Sequence, residues 1–174
     1  MIRFTTMGLF CSIALLCGNP YAADNPSTAA APAAQPAARG PSLELALESA
    51  RTAIATCDNL QQHVGVTVVD SAGVTKVTLA ADGTSPRGVA SSYSKAQTAL
   101  AFQRATSQLG EQVKTDTALA GQIAANSNYN VRAGGILLVS HGELIGAIGV
   151  GGAKGSEKDE ACALAGLAKV QDKL

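Results

Sequence analysis

The sequence predicts one α/β domain of the α+β type, in which a mainly antiparallel sheet of about four to five strands is covered by N- and C-terminal helices. Two pairs of short, β-branched apolar runs lie within residues 64–80 and 136–150, and a tight turn joins the runs of each pair. Such short connections allow only antiparallel pairing. Helical patterns precede, separate and follow the two pairs, so we expect helices on at least one face of the sheet.

The N-terminal part of the chain is predicted to lie outside the folded domain. Residues 1–23 combine a charged start with an apolar run of about 11 residues and then small residues, which is typical of a secretory signal peptide. A lipid acceptor at Cys17 is the alternative. Residues 24–42 are rich in alanine and proline, so we expect a disordered tether. The folded domain is predicted at residues 43–174, in a periplasmic or secreted protein.

A helix and a strand pair are predicted to open the domain. Apolar residues recur at spacings of three and four from Leu43 to Cys57, which predicts a helix with one buried stripe and Ser42 as its N-cap. The members of this stripe are Leu43, Leu47, Ala50, Ile54 and Cys57. Residues 64–70 and 74–80 are predicted to form a hairpin.

Helices and a second hairpin are predicted in the rest of the domain. Residues 91–102 are helical in character, and apolar residues from Leu109 to Ile123 predict one broken helix or two short ones. Strands are expected at residues 136–140 and 143–150.

The last strand is predicted to pack closely and to lead into the last helix. Gly146 and Gly149 lack side chains and therefore permit another backbone or a ligand to come near. Ser156, with Asp159 three residues later, resembles a capping box, and the helix that it opens is expected to end near Lys173.

Composition argues against several partners. The formal net charge is zero and the sequence contains no basic block, so nucleic acid and anionic membrane surfaces are poor candidates. No membrane span is expected in the mature chain, since the apolar run of the signal is too short. Only Tyr93, Phe102 and Tyr129 are aromatic after the signal, so the core must consist of Ala, Val, Leu and Ile.

Cys57 and Cys162 are the two cysteines of the predicted domain. In an exported protein they predict a disulfide, which would close a loop of about 105 residues and contribute about 4–5 kcal/mol on the chain-entropy model. The alternative is that both are buried small hydrophobic residues.

The known site motifs are absent or matched only superficially. The glycine-rich segment 146–155 matches neither Walker A nor GxGxxG, so it is either a tight strand-to-helix connection or a generic anion site. Ser92 to Lys95 spells S-x-x-K, but the domain is too short for a serine β-lactamase and no K-T-G strand follows. His63 and His141 are isolated and have no zinc-ligand spacing.

Three blocks of the chain together resemble the GlcG/HbpS-like family, also described as haem-degrading or PduO C-terminal-like. They are residues 64–83, 94–109 and 134–153, the last followed by the segment DEACA. The resemblance covers essentially the whole predicted domain, and the third block is the most specific.

This resemblance implies a compact α/β domain with profilin-like layers, assembly into homo-oligomers and, for exported members, haem binding. Several relatives carry His or Thr after the Asp-Gly loop where this chain has residues 85–88, but Arg87 there suits a propionate or phosphate. The ligand site is expected around Arg87, Tyr93, Lys95 and Thr98. Iron could be ligated only by His63, His141, Tyr93, Tyr129 or a free cysteine.

Three functions follow from these observations. The first is an exported small-molecule-binding protein for haem or a related tetrapyrrole. The second is a homo-oligomeric structural or interaction module without a small ligand, and the third is an enzyme that acts on haem or another small metabolite. No paired carboxylates, triad or metal cluster can be assigned, so we expect a binding protein rather than an enzyme.

Overall fold

The structure is a computed structural model that describes residues 38–174. The predicted signal peptide and residues 24–37 of the predicted tether lie outside this range. Within it, no helix has the length and apolar character that a membrane span requires. In chain order the elements are α1 (Leu43–Asn59), β1 (Gly65–Asp70), β2 (Thr75–Ala80), α2 (Pro86–Phe102), α3 (Thr106–Gln112), α4 (Thr117–Ala124), β3 (Gly135–Ser140), β4 (Glu143–Gly151) and α5 (Ser156–Val170), with a final 3-10 turn Gln171–Lys173.

The four strands form one antiparallel sheet in the order β2-β1-β4-β3. The central strands β1 and β4 pair from Gly65 opposite Gly151 to Asp70 opposite Gly146. The predicted α+β class and its antiparallel sheet are therefore confirmed, and the strand number is four.

One face of the sheet, which we call the disulfide face, is covered by α1 and α5. Side chains of Val66 and Ile148 from the sheet share a buried core with Ala50 and other small residues of the two helices. Cys57 of α1 and Cys162 of α5 form a disulfide, with their Cα atoms 5.6 Å apart. The predicted disulfide is confirmed.

The buried stripe of α1 differs from the predicted one. Leu43 is 52% exposed, and Leu47 and Ile54 are only partly buried. Small side chains fit here because α1 and α5 come very close; a Cβ atom at Gly166 would lie 2.7 Å from the carbonyl oxygen of Ser49. The buried residues of α1 are Ala46, Ser49, Ala50, Ala53 and Cys57.

Caps define the starts of the first two helices. The hydroxyl of Ser42 accepts a hydrogen bond from the amide of Leu45 at 3.2 Å, so the predicted N-cap of α1 is confirmed. α2 begins earlier than predicted, at Pro86. The reason is that the Ser85 hydroxyl caps the amide of Gly88 at 3.1 Å, and proline is well tolerated in a first turn.

The capping box predicted at the start of α5 is wrong. Gly155 is the N-cap, and no side chain makes a cap hydrogen bond. Asp159 is only 3% exposed, and its two oxygens accept hydrogen bonds from the amide of Ala153 and from Lys95 Nζ. Both carboxylate oxygens of Asp159 are therefore already hydrogen-bonded, and they do not form the capping-box bond with Ser156.

The opposite face, which we call the α2 face, has α2 lying directly on the sheet. A Cβ atom at Gly149 would overlap the carbonyl oxygen of Ser92, and one at Gly151 would lie 2.7 Å from the carbonyl oxygen of Gly88. Gly149 therefore lets the backbones of β4 and α2 touch, as its position in the sequence predicts. Polar groups are buried between the layers, such as the hydroxyls of Thr67 and Ser92 at 2.8 Å.

The first described residues and the last one meet at the same end of the sheet. Arg39 exchanges two hydrogen bonds with Ser71 in the β1–β2 turn, at 2.9 and 2.8 Å, and pairs with Glu143. The hydroxyl of Ser140 donates to the carbonyl oxygen of Leu174 at 2.7 Å. β4 finishes at the other end of the sheet.

Candidate ligand-binding cleft

A cleft of about 460 Å³ opens at the end of the sheet where β4 finishes. The start of α2, the segment before β3 and the residues Gly152 and Ala153 form its walls. The volume lies in the range of small-molecule sites. The polar and charged residues of its lining are Ser85, Arg87, Ser91, Ser94, Lys95, Asn130, Arg132 and Asp159.

A buried ion pair lies at the back of this cleft. Lys95 is 1% exposed, and its Nζ donates to Asp159 Oδ2 at 2.6 Å and to the carbonyl oxygen of Val150 at 2.9 Å. Burial lowers the pKa of Lys95 and the charge of Arg132 lowers it slightly further, while the bond and charge of Asp159 oppose the shift. The pair thus connects α2, the end of β4 and the first turn of α5.

Lys95 therefore lines the cleft as a structural support rather than as a free binding group. Its ammonium group already serves two buried acceptors, and Asp159 also holds the amide of Ala153 at 2.9 Å. The loop after β4 is fixed by these bonds. The glycine-rich segment that was predicted to connect the last strand to the last helix is thus also a wall of the cleft.

The cationic groups left for a ligand are two arginines. Arg87 lies in the first turn of α2 and Arg132 lies just before β3, and both residues line the cleft. Within residues 38–174, neither guanidinium has a carboxylate partner within 4 Å. Because Lys95 and Asp159 neutralise each other, the cleft carries an excess of positive charge and suits an anionic group.

Thr98 lies behind the cleft wall. It is fully buried, its hydroxyl donates to the carbonyl oxygen of Ser94 at 2.7 Å, and the same oxygen accepts from the amide of Asn130 at 2.8 Å. Of the residues expected at the ligand site, the cleft lining thus includes Arg87 and Lys95, while Thr98 holds a lining residue in place.

The expected iron ligands lie away from the cleft. Tyr93 is 45% exposed and is not part of the lining. The ring of Tyr129 makes a T-shaped contact with the ring of Phe102. His63 Nδ1 is 3.8 Å from Asp58 Oδ1 in a separate hollow, and His141 lies on the β3–β4 turn. Throughout residues 38–174, no group of three or more His, Cys, Asp or Glu residues is placed to hold a metal ion. Cys57 and Cys162 are joined and offer no thiol.

The structure also explains the S-x-x-K spacing. Ser92 is buried and bonds Thr67 and the carbonyl oxygen of Val89, whereas Lys95 pairs with Asp159. Serine and lysine both face the sheet, but their polar groups serve different partners. They do not form a nucleophile and base pair.

Sequence reasoning missed six of the eight polar and charged residues of the lining, among them Asn130, Arg132 and Asp159. Asp159 matches a capping pattern equally well, so its local sequence misleads. Asn130 and Arg132 lie in a turn-rich stretch just before the glycines that open β3. The available signal was Arg132 itself, a cationic residue in a turn-rich segment just before a predicted strand.

This chain is similar to a known protein family and to several solved structures. The sequence model described as "Haem degrading protein HbpS-like" matches residues 42–168. Two crystal structures are similar to this chain, one of HbpS and one of a double mutant of HbpS from Streptomyces reticuli. Each shares 34% sequence identity with it, at a TM-score of 0.70. The alignments cover 80% of this chain, 96% of the HbpS chain and 93% of the mutant chain. A crystal structure of PduOC in complex with heme shares 28% identity with a TM-score of 0.70, covers 75% of this chain and is covered to 94%. No match was found among curated proteins.

Fold and cleft together define an α/β domain in which one antiparallel sheet has helices on both faces and a cationic cleft at one end. The chain belongs to the HbpS-like family.

Proposed function

We propose that the protein is an exported small-molecule-binding protein whose ligand is haem or a related tetrapyrrole. The observation that carries the proposal is the cleft with two guanidinium groups, those of Arg87 and Arg132, that have no carboxylate partner among residues 38–174, in a chain of this family. The solved complex of PduOC with heme, at 28% identity, supports the same ligand class.

The cleft fits the carboxylates of a tetrapyrrole. Arginine presents planar donors that match a carboxylate, and the N-terminal turn of α2 adds the positive end of a helix dipole. None of the lining residues is His, Cys, Met or Tyr. These residues would therefore bind and orient the side-chain carboxylates, and no axial ligand is assigned. Haem iron, when bound, supplies the oxygen and electron-transfer chemistry.

A hemin titration tests the proposal. We expect a saturable shift of the Soret band with the wild-type protein, and an affinity reduced about tenfold in Arg87→Gln, because a charge-assisted hydrogen bond is lost. Arg51→Gln is the matched control, since Arg51 is an exposed arginine of α1 on the disulfide face. The absence of a saturable shift at micromolar hemin in the wild type would exclude the haem function.

Export is supported by the sequence before residue 24 and by the disulfide, which is stable in oxidising compartments. We expect a mature chain that begins near Asp24 and contains no free thiol when unfolded without reductant. Mass spectrometry of the protein recovered from the periplasm or medium measures both. A full-length chain in the cytoplasm would contradict export.

A homo-oligomeric module is the second candidate function, and α4 is the observation that favours it. The helix contains no charged residue, yet none of its residues is buried within the described chain. Such a helix is more stable when another surface covers it. Light scattering of the ligand-free protein measures the oligomer. The enzyme alternative is tested by the same hemin titration, since loss of the bound Soret band under a reductant would indicate turnover.

A further inference from the structure

We propose that Arg132 is a second ligand-binding cation, that the cleft therefore takes a ligand with two carboxylate groups, and that Asn130 positions Arg132. This inference rests on the proposed function, because it specifies which groups of the tetrapyrrole the cleft recognises. Two carboxylates correspond to the two guanidinium groups that have no partner in the described chain.

The two arginines come from different segments of the cleft. Arg87 is carried by α2, whereas Arg132 is carried by the loop that leads into β3. The remaining charged groups of the lining, Lys95 and Asp159, are bonded to each other at 2.6 Å. A ligand with one carboxylate would leave one guanidinium unsatisfied, and a ligand with two would engage both.

The backbone of Arg132 is held on both sides by side chains. Its amide donates to Asn130 Oδ1 at 3.0 Å, and its carbonyl oxygen accepts from the hydroxyl of Thr106 at 2.8 Å. These bonds order the loop that carries Arg132. A binding residue benefits, because a fixed backbone reduces the ordering that binding requires.

Asn130 connects Arg132 to the wall that carries the other arginine. Its Nδ2 donates to the Ser91 hydroxyl at 3.1 Å, and its own amide is held by the hydroxyl of Thr98 at 2.8 Å. Ser91 is one helical turn after Arg87 on α2. Asn130 thus fixes the position of the Arg132 segment relative to the Arg87 segment, and it acts as a positioning residue.

The test compares hemin with hemin dimethyl ester, in which both carboxylates are blocked, using the full mature protein. We expect the ester to bind at least tenfold more weakly than hemin. Arg132→Gln should lower the affinity for hemin about tenfold and leave the affinity for the ester unchanged. Asn130→Ala should show the same selective loss, to a smaller degree, and Asn130→Ser should restore part of it because serine also accepts a bond from the amide two residues later.

Arg51→Gln is again the control, and circular dichroism confirms that each variant is folded. If wild-type hemin and its ester bind equally, or if Arg132→Gln loses affinity for both alike, the two-carboxylate inference is wrong while haem binding stands. If the wild type binds no hemin, both proposals are wrong. If Asn130→Ala lowers the affinities for hemin and for the ester equally, Asn130 has a purely structural role and the positioning role is wrong.

Discussion

The two faces of the sheet are built on different principles. On the disulfide face, α1 and α5 bury valine, isoleucine and alanine side chains and are joined by a covalent bond. On the α2 face, a single long helix lies directly on the glycines of β4, and the buried contacts include hydroxyls, an ammonium group and a carboxylate.

This difference separates stability from ligand chemistry. Apolar packing is tolerant of small changes, so the disulfide face can hold the fold together without a unique arrangement of polar groups. Buried polar groups must each find a partner, so the α2 face fixes its side chains at defined positions next to the cleft. Variants on the first face should affect folding alone, and variants on the second should affect folding and binding together.

Removal of the disulfide should give the largest loss of stability. The double variant Cys57→Ala/Cys162→Ala should lower the free energy of unfolding by about 4 kcal/mol, because the bridge closes a long loop in the unfolded chain. Urea denaturation measures the loss. Hemin affinity at a temperature where both proteins are folded should not change, and an altered affinity would break the proposed separation of the two faces.

Breaking the buried ion pair should be nearly as costly and should also disturb the cleft. Asp159→Asn leaves the charge of Lys95 uncompensated, and we expect a loss of about 3 kcal/mol and weaker hemin binding. Lys95→Met in the same chain should recover part of the stability, because no buried charge then remains. No recovery in this double variant would show that the ion pair is not the cause.

The stability of the single variant Asp159→Asn should also acquire a distinctive pH dependence. Burial already lowers the pKa of Lys95 below its ordinary value of 10.5, and without the carboxylate it should fall further. Between the folded pKa and 10.5 the unfolded chain binds more protons than the folded chain, so the free energy of unfolding rises with pH in that window. Urea denaturation at neutral and alkaline pH should show a steeper rise for Asp159→Asn than for the wild type.

A methyl group between β4 and α2 should have an intermediate effect. Gly149→Ala would place its Cβ atom against the carbonyl oxygen of Ser92, and we expect a loss of about 2 kcal/mol together with a displaced α2 and weaker hemin binding. Gly121→Ala is the matched control, because that position in α4 has no heavy atom within 4 Å. The control should be unchanged or stabilised. Equal effects of the two variants would argue against close packing as the cause.

The smallest effect is expected on the exposed side of the disulfide face. Lys173 hydrogen-bonds both oxygens of Glu48 at 2.8 Å and thereby lowers the pKa of Glu48, with a lesser contribution from Lys169. The associated stability is present above the unfolded pKa and is lost as pH falls through the folded pKa. Glu48→Gln should therefore lower the melting temperature slightly at neutral pH and low salt, and not at acidic pH or high salt. A loss that persists at acidic pH would indicate a cause other than charge.

Local sequence patterns were sufficient for most elements and for the pairing within each hairpin, because short turns and recurring apolar residues act over a few positions. The two hairpins and the Ser42 cap are confirmed for this reason. The disulfide could be predicted as well, since Cys57 and Cys162 are the only cysteines of the domain.

Contacts between distant residues were harder to predict. Lys95 and Asp159 are separated by 64 residues, and nothing in the local sequence distinguishes a buried carboxylate from a helix cap. The buried side of α1 depends on how closely α5 approaches, which is a property of both helices. Arg132 has no motif of its own, and only the folded chain brings it to the cleft that Arg87 also lines.

The position of the chain ends has a practical consequence. Arg39 and Leu174 lie beside the turns at one end of the sheet, and the cleft opens at the other, about 20 Å away along the strands. A fluorophore, affinity tag or carrier domain joined after Leu174 therefore adds its bulk far from the cleft. Immobilisation on a biosensor chip through the C-terminus leaves the cleft open to the flowing solution.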